Sequence, residues 1–279
     1  MCAHCGCSGQ ETGSHAGHHH DHDHGHDHDH GHQHDHDHVI AARPSAGRQA
    51  ILVRLEHDLL QKNNRQAERN RGWLAGRNLL ALNLVSAPGS GKTTLLERTI
   101  HDLRGEFPLS VIEGDQATDR DAQRIQATGC PVVQINTGTG CHLDAEMVAR
   151  GLQQLDPPAN SVLLIENVGN LVCPALFDLG EDAKVVVCSV TEGDDKPLKY
   201  PHMFRESAAM LLNKIDLLPY VSFDVDRCVG CARQVNPRLE IFPVSATRGD
   251  GLAAWYEWLR QRRDQRLRSS SDWLTSVSE

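Results

Sequence analysis

The chain of 279 residues is long enough for one large domain with appendages. Its net charge of −9 is unevenly placed: residues 1–38 carry Glu11 and six Asp with no Lys or Arg, −7 of the total, and the remaining −2 excludes the basic footprint of a nucleic-acid binder. No run approaches the ~18 consecutive apolar residues of a membrane helix and no apolar signal core opens the chain, so the expectation is a cytoplasmic protein with neither a membrane nor a nucleic-acid partner.

In that compartment thiols stay reduced, and nine cysteines in irregular clusters point to metal ligation rather than disulfides. Three of them, Cys2, Cys5 and Cys7, lie in Cys2-Ala3-His4-Cys5-Gly6-Cys7, where His4 and the α-amino group stand alongside. Such a cluster can wrap one soft or borderline ion. Nickel(II) or copper(II) suits a planar sulfur–nitrogen set and zinc a tetrahedral one, so the metal stays open. From His15 to His38 there are 13 histidines, mostly alternating with Asp. That tract builds no core but offers many weak imidazole sites at high local concentration. A purification tag would run uninterrupted. Residues 1–38 therefore read as a metal-binding tail and residues 39–76 as a helical segment. In the latter, Ile51, Leu52, Leu55, Leu59 and Leu60 fall at helical spacing, opposite Arg54, Glu56, Asp58 and Lys62. The pattern predicts an amphipathic helix from Gln49 to about Trp73 that packs on the domain or docks a partner.

A nucleotide-binding domain is expected over 77–262, followed by a C-terminal tail at 263–279. It opens with the apolar run Leu79–Val85, which leads into Gly89-Ser90-Gly91-Lys92-Thr93-Thr94. This is a strand, a phosphate-binding loop and a helix. Glycines let backbone N–H groups turn onto phosphate oxygens, Lys92 adds a point charge, and the Thr93 hydroxyl can ligate Mg²⁺. Ser86 stands where the common pattern has its first glycine. Further buried strands are predicted at Leu109–Glu113, Cys130–Ile135, Ser161–Glu166, Lys184–Val190, Ala209–Lys214 and Leu239–Val244. Helical patterns lie at Thr93–Arg104, Asp119–Thr128, His142–Leu155 and Gly251–Arg262. This alternation means an α/β fold with a doubly wound, mostly parallel sheet and its ligand at the strand C-termini. The second strand runs out in Glu113-Gly114-Asp115 and the fourth in Glu166-Asn167-Val168-Gly169. Asp115 and Glu166 are the candidate Mg²⁺ carboxylates, and the Gly169 N–H is a candidate for the γ-phosphate. With Lys92 and Thr93 they form the expected catalytic set; no catalytic base stands out beside Gly169.

Asn213-Lys214-Ile215-Asp216, at a strand end after a P-loop, reads guanine: the Asp216 carboxylate can accept both the ring N–H and the exocyclic amine. Adenine would leave it unpaired. Ser245 and Ala246, with Thr247, fit the loop that backs the base. GTP is thus expected over ATP. Cys141 and His142 follow a glycine-rich loop and Cys173 lies seven residues beyond Glu166. Two thiols and an imidazole make a plausible nickel or zinc site, but their spacing alone favours core cysteines. Cys130 and Cys188 read as core, and Cys228-Val229-Gly230-Cys231 is a lone pair of little weight.

Taken together, several segments resemble the GTPase family that helps insert nickel into [NiFe]-hydrogenase (HypB). They are residues 2–7, Ser-Ala-Pro-Gly-Ser-Gly-Lys-Thr-Thr at 86–94, Glu-Gly-Asp-Gln-Ala-Thr-Asp-Arg-Asp-Ala at 113–122 and Asn-Thr-Gly-Thr-Gly-Cys-His-Leu-Asp-Ala at 136–145. Glu-Asn-Val-Gly-Asn-Leu-Val-Cys-Pro at 166–174 and Asn-Lys-Ile-Asp at 213–216 complete the set. The resemblance implies a SIMIBI-type G domain, slow GTP hydrolysis, and a GTP-dependent homodimer. It also implies a nickel-handling partner protein and delivery of Ni²⁺ to the hydrogenase large-subunit precursor. It reverses the reading of Cys141, His142 and Cys173, which it makes a nickel or zinc site, and gives the His–Asp tract a role in nickel storage. Two other functions compete: a related GTPase serving another nickel enzyme such as urease, against which the Cys-x-x-Cys-x-Cys start argues, and a nickel storage or detoxification protein with a regulatory G domain.

Overall fold

The computed structural model describes residues 46–116 and 119–276, so the expectations placed on Cys2, Cys5, Cys7 and the histidine tract lie outside the described residues. The chain divides into two units, Met1–Glu56 and His57–Glu279. Of the first, only the opening turns of helix α1 (Ala46–Gly76) are described.

The second unit is built on a seven-stranded sheet in the order β3-β2-β4-β1-β5-β6-β7, and every pairing is parallel. Its strands are β1 (Leu80–Ser86), β2 (Leu109–Asp115), β3 (Val132–Asn136), β4 (Val162–Glu166), β5 (Ala183–Ser189), β6 (Ser207–Asn213) and β7 (Glu240–Pro243). Parallel strands need crossovers, and helices supply them: α2 (Lys92–Leu103), α3 (Arg120–Ala127), α4 (Ala145–Leu155), and after β4 the short α5 (Cys173–Leu176). Beyond β5 come α6 (Lys196–Lys199), α7 (Pro201–Glu206), α8 (Val225–Val235) and the long α9 (Leu252–Ser276). Helices on both faces bury the central strands twice over, which is why those strands read as continuous apolar runs, whereas at the sheet edge β7, expected to be buried, is half-buried to exposed along its length. Along β1 the period of two divides the core. Leu80, Leu82 and Leu84 face a cluster with Leu96, Ile100, Trp255 and Leu259. Ala81 faces Leu74, Val148 and Leu152.

The chain passes from β4 across β1 to β5, and there the winding reverses. The P-loop leaves β1 at that switch point, where the helices on either side diverge and leave a crevice.

Two further expectations changed, and one segment without a predicted structure proved helical. The patterned stretch of α1 is not the stretch that packs: Leu59 is 62% exposed, while Asn63, Ala67, Asn70 and Leu74, on the following turns of the same face, are buried. Two asparagines can face the domain because each finds backbone partners there. Asn63 Nδ2 donates to the Asp178 carbonyl at 2.7 Å and its Oδ1 accepts the Ala145 N–H at 2.9 Å. Asn70 Nδ2 donates to the carbonyls of Ala145 and Leu179 at 2.7 and 2.9 Å. The helix expected to end at Arg262 continues to Ser276, carried by Arg266, whose guanidinium meets Asp182 at 3.3 Å. The segment of Cys228 and Cys231 is itself a helix, α8, capped by Asp224 accepting from the Arg227 N–H. Among the described residues no helix is long and apolar enough to cross a membrane.

Trp255 is the largest fully buried side chain; it stacks on Trp258 at 5.3 Å between ring centroids, and its indole N–H donates to Thr99 Oγ1 at 3.1 Å. Trp255→Ala should therefore lower the unfolding free energy by about 3–5 kcal/mol, read as a shift of the urea midpoint with an unchanged slope.

Candidate nucleotide and metal site

The phosphate-binding loop is shaped by two left-handed glycines, Gly89 (φ 76°) and Gly91 (φ 88°). Gly91 is required twice, since a Cβ there would also lie 2.6 Å from Asn213 Nδ2. Asn213 and Lys214, from the end of β6, lash this loop down: Asn213 Nδ2 donates to the Ser90 carbonyl at 3.0 Å and Lys214 Nζ to the Gly89 carbonyl at 2.7 Å. The carbonyl oxygen of the Asn213 side chain accepts the Ala246 N–H at 3.1 Å, and Ser245 Oγ donates to Asp216 Oδ1 at 2.6 Å. The residues expected to read the base thus already form one network with the residues expected to hold the phosphates. A crevice of about 470 Å³ opens over the loop, lined by residues 86–94 together with Asp115, Gln116, Asp121, Arg124, Val168 and Gly169.

Lys92 and Thr93 begin α2, so the helix N-terminus adds its partial positive charge at the same place. Both side chains turn to one carboxylate. Lys92 Nζ and Thr93 Oγ1 each donate to Glu166 Oε1 at 2.7 Å. Glu166 is 1% exposed, and its Oε2 has no hydrogen-bond partner. A buried, half-satisfied carboxylate beside a threonine hydroxyl, at the edge of a crevice that Asp115 also lines, fits a hard divalent cation, which prefers oxygen ligands. Next to Glu166 in the β2–β4 register stands Glu113, also buried and with Oε2 unpartnered. Burial, then the neighbouring Glu166 and Asp115 charges, push its carboxyl up to about 8, against the pull of Lys92.

On the far side of β4 the second constellation assembles. Cys141 and His142 lie in the loop between β3 and α4, because the helix expected from His142 begins only at Ala145; Asp144 caps it by accepting the Met147 N–H at 2.7 Å. Cys173 opens α5. The ligand atoms of the three lie within 4.8 Å of one another: Cys141 Sγ is 3.2 Å from Cys173 Sγ and 3.7 Å from His142 Nδ1. The imidazole packs on Phe177 at 4.0 Å between ring centroids. Burial holds the His142 pKa below its ordinary value, with Asp144 opposing, which favours the neutral, ligating imidazole. Two thiols and an imidazole suit nickel or zinc. By contrast, Cys130 and Cys228 belong to no such cluster of ligands among the described residues, and burial pushes each thiol up to about 12.

Arg124, Asp121 and Gln116 also line the phosphate crevice and escaped the sequence reading. Arg124 Nη2 donates to Thr94 Oγ1 at 3.0 Å, and its guanidinium pairs with Glu97. Only the spacing of Asp121 and Arg124 on one face of α3 hinted at it.

The fold and this crevice define a P-loop nucleotide-binding protein. The family model described as "CobW/HypB/UreG, nucleotide-binding domain" matches residues 80–243, and the chain belongs to the HypB group of hydrogenase maturation factors within that family. It is 60% identical over 215 residues to the hydrogenase maturation factor HypB of Escherichia coli K12, covering 77% of this chain and 74% of that protein. It is 52% identical over 292 residues to HypB of Azotobacter vinelandii, covering 98% and 96%. Among solved structures, it resembles HypB of Archaeoglobus fulgidus (TM-score 0.68, 40% identity, 73% of this chain and 99% of that one). It likewise resembles Helicobacter pylori HypB in complex with nickel (TM-score 0.69, 37% identity, 73% and 96%).

Two outcomes are expected at this site. Gly91→Ala should weaken nucleotide binding about ten- to hundredfold, from roughly 1–3 kcal/mol of backbone strain, measured by titration with a fluorescent nucleotide. Glu113 keeps its proton in the folded state up to about pH 8, whereas an ordinary glutamate loses it near 4.5. Its contribution to stability is complete below 4.5 and lost as pH rises through 8. Nucleotide-free protein should therefore lose stability relative to Glu113→Gln between those values, as urea midpoints across the range would reveal.

Proposed function

We propose that this chain is a nickel metallochaperone GTPase that couples GTP binding and slow hydrolysis to delivery of Ni²⁺ during [NiFe]-hydrogenase maturation. The observation that carries this reading is that Cys173 and Glu166 share one short segment. One end answers to the P-loop lysine and the other completes the thiol–imidazole cluster. Triphosphate in the crevice gives Lys92 a stronger anionic partner and releases Glu166. With Asp115 and Thr93, Glu166 would hold Mg²⁺, which when bound neutralises phosphate charge. Gly169, against Pro88, is poised over the same crevice. The segment 166–173 then settles differently with GTP than with GDP, and the Cys141/His142/Cys173 site binds its ion differently in the two states.

The tail, with Cys2, Cys5, Cys7 and its histidines, collects and stores nickel, and the inner site takes nickel with zinc as a competitor. Exposed apolar Val172 and Leu176 flank Cys173, which supports a GTP-dependent homodimer meeting beside the metal. The partners in this reading are a nickel-handling protein and the hydrogenase large-subunit precursor, in the cytoplasm. A relative from Helicobacter hepaticus, 38% identical over 221 residues and 78% of this chain, is called a hydrogenase/urease maturation factor, so urease is the recipient to test beside hydrogenase.

Linkage is reciprocal, so nickel must change nucleotide preference by the factor by which nucleotide changes nickel affinity. On the full chain, the ratio of GDP to non-hydrolysable GTP analogue dissociation constants should shift several-fold on saturation with nickel. Cys141→Ala should abolish the shift that belongs to the inner site while leaving any contribution of the tail. Equal shifts in both proteins would sink the coupling. For base reading, Asp216→Asn should weaken GTP at least about a hundredfold through the lost paired acceptor, while xanthosine triphosphate, which carries a carbonyl in place of the amine, should bind better than to the unsubstituted protein.

A further inference from the structure

The loop bearing Cys141 and His142 is fastened to the nucleotide side of the sheet through the residue that follows them, Leu143. Asn167, directly after Glu166 and 1% exposed, accepts both the Leu143 N–H and the Val168 N–H through one oxygen, each at 3.0 Å. Its amide donates to Asn83 Oδ1 on β1 at 3.3 Å. The side chain of Leu143, fully buried, sits over Gly114: a Cβ added at Gly114 would lie 2.6 Å from Leu143 Cγ. Gly114 stands between Glu113 and Asp115. Further along the loop, Gln116 Nε2 donates to the Gly140 carbonyl at 3.2 Å. The loop is thus gripped from β4 by a hydrogen bond and from β2 by close packing.

We propose that Asn167 and Leu143 form the mechanical link through which the state of the phosphate crevice sets the spacing of Cys141 and His142 against Cys173. This rests on the nucleotide–nickel coupling proposed above and names the device that performs it. Asn167 Oδ1 is shared between the Val168 N–H, which lines the crevice with Gly169, and the Leu143 N–H beside the metal ligands. Movement of Val168 and Gly169 carries that oxygen with it. A buried N–H left without an acceptor is disfavoured, so Leu143 follows. Contact with Gly114 leaves no slack for it to follow in another direction, because a close-packed interior transmits displacement rather than absorbing it. Asn167 is a positioning residue that touches neither nucleotide nor metal.

The test uses the full chain with inorganic Ni²⁺, GDP and a non-hydrolysable GTP analogue. The readout is the factor by which saturating nickel changes the GDP-to-analogue ratio of dissociation constants, referred to Cys141→Ala. Asn167→Ala should still bind both nucleotides within about threefold of the unsubstituted protein, as ordinary context effects allow, and should still take up nickel. Its factor should fall to that of Cys141→Ala. A loss of packing alone would lower the melting temperature and leave the factor in place, and that result overturns the proposal. Should Asn167→Ala fail to fold, Leu143→Ala decides by the same readout, since it keeps the hydrogen bond and removes the contact with Gly114; an unchanged factor overturns the link. If the unsubstituted protein itself matches Cys141→Ala, the coupling fails and the link falls with it, a pattern distinct from a coupled parent with unaffected variants.

Discussion

A carboxylate almost wholly removed from water has to be answered by donors, and at Glu166 the answer organises the molecule. Its two donors come from the first residues of α2, 74 and 73 positions away in sequence. Meeting that requirement fixes where β4 ends against β1, and therefore where the loop after β4 begins. Everything beyond, from Asn167 to Cys173, is hung from that point. The cost of burying charge is tolerated because the Lys92 ammonium stands opposite, at 2.7 Å.

The same logic of a polar group in an apolar place recurs at α1. Asn63 and Asn70 enter the domain where leucines were expected, and between them they satisfy the first residue of α4 at both its N–H and its carbonyl. The helix that follows the metal loop is thus anchored by side chains from a segment far upstream. Gly180, with φ at 91°, allows this approach, since a Cβ would stand 2.6 Å from the Ala67 carbonyl. Polar buttressing of this kind holds direction as well as distance, which a leucine contact would not.

What was legible in the sequence was whatever depends on local chemistry. Continuous apolar runs located the seven strands to within a few residues because strands buried on both faces have no polar alternation. Glycines at 89 and 91 marked a loop that no other residue can form. Asn213 to Asp216 was readable because its position after a P-loop and a strand left few other uses for it. Illegible features depended on partners distant in the chain. Periodicity placed the packing turns of α1 too early in the chain, since Asn70 looks like a surface residue until the carbonyls of Ala145 and Leu179 are known. Arg124 is an ordinary helix charge until α3 is laid along the crevice. Cys141, His142 and Cys173 looked like core cysteines by spacing; the topology that brings the β3–α4 loop against α5 is what gathers them.

An all-parallel sheet has no hairpins, so no strand pairs with its neighbour in sequence by a short turn. The order in which the protein is made therefore matters. The phosphate loop is complete by Thr94, yet the groups that hold it arrive far later: Glu166, then Asn213 at a separation of 123 residues and Lys214 at 125. Long-range pairing of this kind is slow and waits on the chain. A ribosome-bound fragment ending before β6 carries the glycines and the lysine without the asparagine and lysine that lash them in place. Competence to hold nucleotide consequently belongs to a polypeptide already extended past Lys214.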